Sequence, residues 1–506
     1  MKNKKPILLL IAVILVIISA VSYESITTAL LISPDKQQNQ GPQAPQNPLP
    51  DTTKPSTDKP DTQPIEQPEK QEEVVENNEN VVYISASKLN VREQTAKDGK
   101  ILDSLMKGTA VSIKNEKTDE AQIRWYNIAY ENATGEVNGW IVAEYTVKDR
   151  AELLDTRLSG LDLSPQDKTY EYPDNPRVEV KGIYITLYSA SGERLDKLIE
   201  MTKRTEINTF VIDVKDDNGN MLFATEAAEK YSPEANKKAP IKDIKAFMQK
   251  LKDNNIYTIA RIVSFKDPAY ARQNPDKAIV YKDSGKPFTN SDGIIWVSPH
   301  DRNLWQYNLS VSKEAVAAGF NEIQFDYVRF PASNGGKLDK VLDYRNETGE
   351  SKPETIQNYL KEARKQLSPM QAYISADIYG LVGSVSDDMA LGQYWEAVSN
   401  VVDYVSPMMY PSHYANGTYG LSVPDAYPYE TILKSTRDSV NRNKNIETPA
   451  AVRPWIQDFT ATWVPGYIKY GVKELELQIK ALEENGVKEY LLWNATNRYS
   501  EGALLK

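Results

Sequence analysis

Eight short apolar runs, with stretches of helical character between them, fill the chain from residue 181 to 506. They lie at 182–187, 209–215, 257–263, 322–328, 372–378, 403–409, 450–455 and 489–494. Between them, Leu195, Leu198 and Ile199 recur at helical spacing. So do Ile241, Ile244, Phe247, Met248 and Leu251, and again Leu475, Ile479 and Leu482. Strands that alternate with helices pair in parallel, because a parallel neighbour is reached only through a crossover. Eight such units close into a (β/α)8 barrel of TIM type. An open doubly wound sheet is the alternative, but no glycine-rich phosphate loop follows the first strand. After the eighth strand only residues 499–506 remain. The packing that a last helix would supply is therefore expected from the connector at 149–180.

The residues before the barrel divide by composition. In 1–33, Lys2, Lys4 and Lys5 precede the apolar run 7–21, the pattern of an export signal. Ala20-Val21-Ser22 would serve a cleaved signal, and the apolar patch at 29–32 an uncleaved membrane anchor. Residues 34–79 are rich in Pro, Gln, Asp and Glu and lack the apolar residues to fold, so they read as a disordered spacer. Residues 80–148 alternate short β-rich runs with turn residues. Within them Leu89-Asn90-Val91-Arg92, Leu105-Met106-Lys107-Gly108-Thr109, Trp125-Tyr126-Asn127-Ile128 and Gly139-Trp140-Ile141 resemble a bacterial SH3 domain. That resemblance implies a small barrel, of a kind that often binds peptidoglycan; a spacer without a ligand is the other reading. The chain is expected to be exported, and either secreted and wall-associated or held at the membrane.

Composition removes several chemistries. The net charge is −10 with no long basic block, which argues against nucleic acid as a partner. Without cysteine there are no disulfides, thiolate metal sites or cysteine nucleophiles, and two histidines, His300 and His413, cannot form a multi-histidine zinc centre. No cofactor or metal is expected. Asp216-Asp217-Asn218-Gly219-Asn220 reads as a turn, since a calcium loop needs a closing glutamate that is missing. The 30 tyrosines and 8 tryptophans suit a protein that stacks on sugar rings.

A TIM barrel keeps its site at the C-terminal ends of its strands. Those ends carry Asp213 and Lys215, Arg261, Asp326 and Arg329, Asp377 and Tyr379, Tyr410 and His413, Arg453, Trp455 and Asp458, and Trp493. The two-residue period of a strand puts Gln324, Asp326 and Val328 on one face and Ile323, Phe325 and Tyr327 on the other. Glycoside hydrolysis needs two carboxyl groups across the scissile bond. Asp326 and Asp377 fall at equivalent depths on neighbouring strands, about 4.8 Å apart, and are the catalytic candidates. Each could instead form a structural ion pair, Asp377 with Arg261 or Lys215. Asp213, Lys215, Arg261, Arg329, Tyr379, Tyr410, His413, Arg453, Trp455, Asp458 and Trp493 are the candidate substrate contacts. Tyr410, Trp455 and Trp493 could equally pack the barrel, and His413 could sit on a surface loop.

Four motifs then carry a further resemblance: Phe325-Asp326-Tyr327-Val328-Arg329-Phe330-Pro331, Ser375-Ala376-Asp377-Ile378-Tyr379-Gly380, Tyr404-Val405-Ser406-Pro407-Met408-Met409-Tyr410-Pro411 and Arg453-Pro454-Trp455-Ile456-Gln457-Asp458-Phe459. Residues 180–506 resemble a bacterial glycosyl hydrolase family catalogued as domain of unknown function 4015 and related to the α-amylase-like barrels. The resemblance implies a glycosidase acting on a polysaccharide, with Asp326 as nucleophile. It places Asp377 where the α-amylase-like pattern has a glutamate acid/base, and Asp458 near the position of an assisting aspartate. A non-catalytic glycan-binding or wall-scaffold protein is the competing expectation.

Overall fold

The computed structural model describes residues 80–506, apart from positions 87, 133–134, 149, 154–157, 159 and 291. The export segment read at 1–33 and the spacer read at 34–79 lie outside these residues. Among the described residues no helix is long and apolar enough to cross a membrane.

The N-terminal unit is a curled sheet of seven strands, all paired antiparallel, from Val81–Ile84 to Thr146–Val147. Alternation along these strands gathers Val82, Ile84, Val91, Val111, Ile128 and Ile141 into one apolar core. One strand, Ile101–Met106, has no signature in the sequence, because Ile101, Leu102 and Met106 on it are exposed.

The second unit is a closed barrel of eight parallel strands. They are β1 (Lys181–Ile185), β2 (Thr209–Lys215), β3 (Tyr257–Val263), β4 (Glu322–Asp326), β5 (Tyr373–Tyr379), β6 (Tyr404–Met408), β7 (Trp455–Gln457) and β8 (Tyr490–Trp493). Each pairs with the next, and β8 pairs with β1 to close the ring. Outward residues such as Ile183, Phe210, Ile212, Ile262, Ile323, Phe325 and Ile378 pack under the helices in one large core. The inward face holds a separate cluster rich in aromatic rings, including Tyr184, Tyr257, Tyr373, Tyr404, Trp455 and Trp493.

In two strands the backbone shows why the strand departs from its apolar run. β4 stops at Asp326, because Tyr327 takes φ 47° in the left-handed region and breaks the alternation expected through Val328. The seventh run is split into Ala451–Val452 and β7, because Pro454 between them has no N–H to give the ladder.

The connector does not take the place of an eighth helix. It crosses the N-terminal mouth of the barrel instead. Lys168 Nζ donates to the carbonyls of Ser399 (2.9 Å) and Val402 (2.7 Å), ahead of β6. Asn175 Nδ2 donates to the carbonyls of Asn321 (2.7 Å) and Gln371 (2.8 Å), ahead of β4 and β5. The Arg177 guanidinium lies over the rings of Tyr373 and Tyr404, 5.0 and 4.9 Å from their centroids. The wall behind β8 is finished by the C-terminal turn Glu501–Ala503, and Leu504 accepts the Glu206 N–H at 2.7 Å.

Candidate active site

Asp326 ends β4, and the register there pairs Phe325 with Ala376 of β5, one residue before Asp377. Both acids therefore reach the same level at the C-terminal mouth, on adjacent strands. Both line one open cavity. Arg261, Arg329, Tyr379, Tyr410, His413, Trp455 and Trp493 line it with them.

Asp326 is fully engaged. Its Oδ2 accepts from Arg261 Nε (2.9 Å) and Nη2 (2.5 Å), and its Oδ1 accepts from the Tyr327 N–H (2.5 Å). Arg261 also donates from Nη1 to Asp213 Oδ1 at 2.6 Å, and the Tyr184 hydroxyl donates to Asp213 Oδ2 at 2.6 Å. Burial opposes charge on Arg261, but Asp326 and Asp213 outweigh it and hold the cation firmly. Burial raises the Asp213 pKa, with Arg261 pulling the other way. Asp213 thus supports Arg261 from below rather than lining the cavity.

Asp377 has a different environment. Its Oδ1 accepts from the Trp455 indole N–H at 2.8 Å. Burial, and then the charge of nearby Asp326, push its pKa well above the usual carboxylate range. The pair is thus one carboxylate held by a guanidinium and one carboxyl held towards its protonated form.

Aromatic groups complete the wall. The Trp493 ring stacks on Tyr184 at 4.0 Å between centroids, and its buried indole N–H has no hydrogen-bond partner among the described residues. Burial, then Asp377, keeps the Tyr410 hydroxyl protonated. His413 is half-buried in the cavity wall: it packs edge-on to Tyr410 at 5.1 Å, and burial lowers its pKa to about 4. It is neutral near pH 7.

Besides Asp213, three further candidates are not brought to the cavity. Lys215 is wholly buried on the outer side of β2, where Nζ meets Asp267 Oδ2 (2.7 Å) and Asn308 Oδ1 (2.6 Å). A register shift between β2 and β3 aligns Lys215 with Ile262 and turns it away from the interior. Arg453 precedes β7 and lies at the opposite end of the barrel, paired with Glu322 at the start of β4 and 3.9 Å from the Tyr404 centroid. Asp458 accepts from the backbone N–H (2.7 Å) and hydroxyl (2.6 Å) of Ser500, and so braces the C-terminal segment.

Other residues join the site without a signal in the sequence. Gln393, in the loop after β5, donates from Nε2 to the Asp377 carbonyl (3.1 Å) and accepts the Tyr379 N–H (3.0 Å), which fixes the end of β5. Met389 from the same loop lines the cavity. Gly380 and Tyr327 stand inside the quoted motifs, but only geometry shows their use. A Cβ on Gly380 would come within 2.5 Å of both the Met408 carbonyl oxygen and the Tyr414 hydroxyl. Asp216 behaves as the turn expected of it: its Oδ1 accepts the N–H groups of Asn218 (2.9 Å) and Asn220 (2.7 Å), around Gly219 at φ 79°.

A family profile described as that of a putative glycosyl hydrolase domain, domain of unknown function 4015, matches residues 182–499. No curated protein matches the chain. Among solved structures, a hypothetical protein from Ruminiclostridium thermocellum ATCC 27405 is 34% identical over 38% of this chain and 96% of that one, with a TM-score of 0.34. The glycoside hydrolase domain of PgaB (BpsB) from Bordetella bronchiseptica is 14% identical over 63% of this chain and 94% of that one, at TM-score 0.44. The α-galactosidase TtGalA from Thermus thermophilus is 12% identical over 84% of this chain and 85% of that one, at TM-score 0.42. The family profile covers the barrel of the present chain almost end to end, and the chain belongs to this glycosyl hydrolase family.

Proposed function

We propose that the barrel hydrolyses glycosidic bonds of an extracellular or cell-wall polysaccharide, with Asp326 and Asp377 as the two working carboxyl groups. In this reading Asp326 attacks or stabilises the developing oxocarbenium centre. Asp377 gives its proton to the leaving oxygen and recovers it in the second half of the reaction. Arg261 orients Asp326. Trp455 orients Asp377, and Tyr410 and Trp493 offer faces for sugar rings.

The observation that carries this reading is the unequal state of two acids on one cavity. One is tied to a guanidinium, and the other is pushed towards its protonated form by burial and by its neighbour. The test is release of reducing ends from a polysaccharide panel by the full-length protein, compared with its Asp377→Asn variant. Release that is equal in the two proteins removes Asp377 from the mechanism.

One observation favours the competing reading of glycan binding without turnover: both oxygens of Asp326 are already engaged. Retention on the same polymers with no release of ends would select it. The basic and apolar residues of 1–33 and the proline-rich 34–79 support an exported chain, with the small β unit as its contact to peptidoglycan. Surface protease treatment of intact cells checks that placement.

A further inference from the structure

Among the described residues, one cation in the cavity wall has no counter-ion. Arg329 is 4% exposed and lines the cavity beside Tyr379. Its guanidinium lies 4.8 Å from the Trp296 centroid, 5.2 Å from Tyr327 and 4.8 Å from Tyr379. Among the described residues its one hydrogen bond runs from Nη1 to the Phe330 carbonyl at 3.1 Å, and no carboxylate lies within 4.0 Å. The three other buried arginines of the described residues are all ion-paired. Arg261 meets Asp213 and Asp326, Arg364 meets Asp403 at 2.7 Å, and Arg453 meets Glu322.

A guanidinium has five N–H donors, and burying its charge unpaired is costly. The three rings offset part of that cost through their faces. Among the described residues no protein group accepts the remaining N–H groups of Arg329. Neither cavity acid takes that role, since Asp326 is committed to Arg261 and Asp377 to the Trp455 indole.

We propose that Arg329 binds a carboxylate carried by the sugar seated beside Asp326 and Asp377, so that the substrate is an acidic glycan. The proposal rests on the reading of this cavity as a glycan site. A carboxylate presents two coplanar oxygens to the guanidinium edge and supplies one negative charge. A phosphate ester would bring nearly two charges. The neighbouring Lys266 does not supply the second cation, because it already meets Asp292 at 3.0 Å and Asp217 at 3.4 Å. Two kinds of sugar carry the required group: a uronic acid, on its own ring, and a muramic acid, on a lactyl ether.

The test titrates the full-length protein with two matched pairs, glucuronate against glucose and N-acetylmuramate against N-acetylglucosamine. The expected result is that at least one acidic member binds about tenfold or more tightly than its neutral partner, and that Arg329→Gln removes this difference. Which pair shows the preference identifies the source of the carboxylate. Arg329→Lys should retain part of it, which separates lost recognition from lost folding, and added salt should shrink it in the unaltered protein. No preference in either pair, or a preference that survives in Arg329→Gln, overturns the proposal. Reducing-end release is followed in parallel. Acid-selective binding without release sinks the hydrolase reading and leaves this subsite standing; release from neutral glycans alone does the reverse.

Discussion

Arg261 holds Asp326 through two N–H groups on a single carboxylate oxygen, at 2.9 and 2.5 Å, with both side chains almost fully buried. The same guanidinium reaches down to Asp213, so one cation on β3 serves acids on the strands to either side. The site is therefore an electrostatic unit, and changes to it act on stability and turnover together.

Asp326→Asn removes one of the two negative charges that balance Arg261. Breaking a buried ion pair costs about 3–5 kcal/mol when the partner is stranded. Asp213 remains to hold Arg261, so the expected loss is smaller, about 1–3 kcal/mol. Turnover should fall by at least about a hundredfold. Denaturant unfolding and reducing-end assays on one preparation check both numbers.

Asp377→Asn should have the opposite effect on stability. The folded-state pKa of Asp377 is raised, whereas in the unfolded chain it is about 3.9. Above pH 4 the unfolded state gives up this proton before the folded state does, so folding is penalised as pH rises through that window. Asparagine cannot ionise, and its carbonyl still accepts the Trp455 N–H. The variant should melt higher than the original protein at pH 7 and lose that advantage near pH 3. Turnover should drop by about 10²–10⁴-fold. In the unaltered protein, activity should fall as pH rises through the raised pKa of Asp377. His413, already neutral above about pH 4, should add no step near neutrality. A melting advantage for Asp377 at pH 7 would mean that the acid is ionised there.

Lys215→Met separates the outer ion pair from the site. It strands Asp267 in a buried position and should cost about 3–5 kcal/mol of stability. Below its melting range the variant should keep the turnover of the parent, because Lys215 lies behind the wall. Calorimetric unfolding and a turnover assay at low temperature check this.

Gly380→Ala should damage the cavity without altering charge. The added methyl would press on the Met408 carbonyl oxygen and the Tyr414 hydroxyl, each 2.5 Å from where the new Cβ would stand, and backbone cannot yield as a flexible side chain does. A cost of about 1–3 kcal/mol is expected, as in overpacked interiors. A raised KM should accompany it, since Tyr414 and Met408 line the cavity. Thermal unfolding and a substrate-saturation curve on the same variant check the two effects.

Much of the site was legible in sequence because strand periodicity is local. Asp326 and Asp377 sit one residue beyond a parallel register pair, and counting by twos along each run brings them to one level. Periodicity failed where the backbone departs from it. The shift beside Arg261 turns Lys215 outward, and the φ of Tyr327 ends β4 early. It also says nothing about which loops fold back, so Gln393, Met389 and Trp296 had no signature.

By itself, the sequence determined the eight strands, the helices between them and the level of the two acids on their strands, because these follow from residue spacing along single elements. Tertiary structure alone decided how charge is shared: Arg261 between Asp213 and Asp326, Arg453 with Glu322 at the far end, and Arg329 with aromatic rings and no acid among the described residues. Three arginines of the same chemistry differ in role because pairing depends on distances across the closed ring, and those distances exist only once every strand has taken its place.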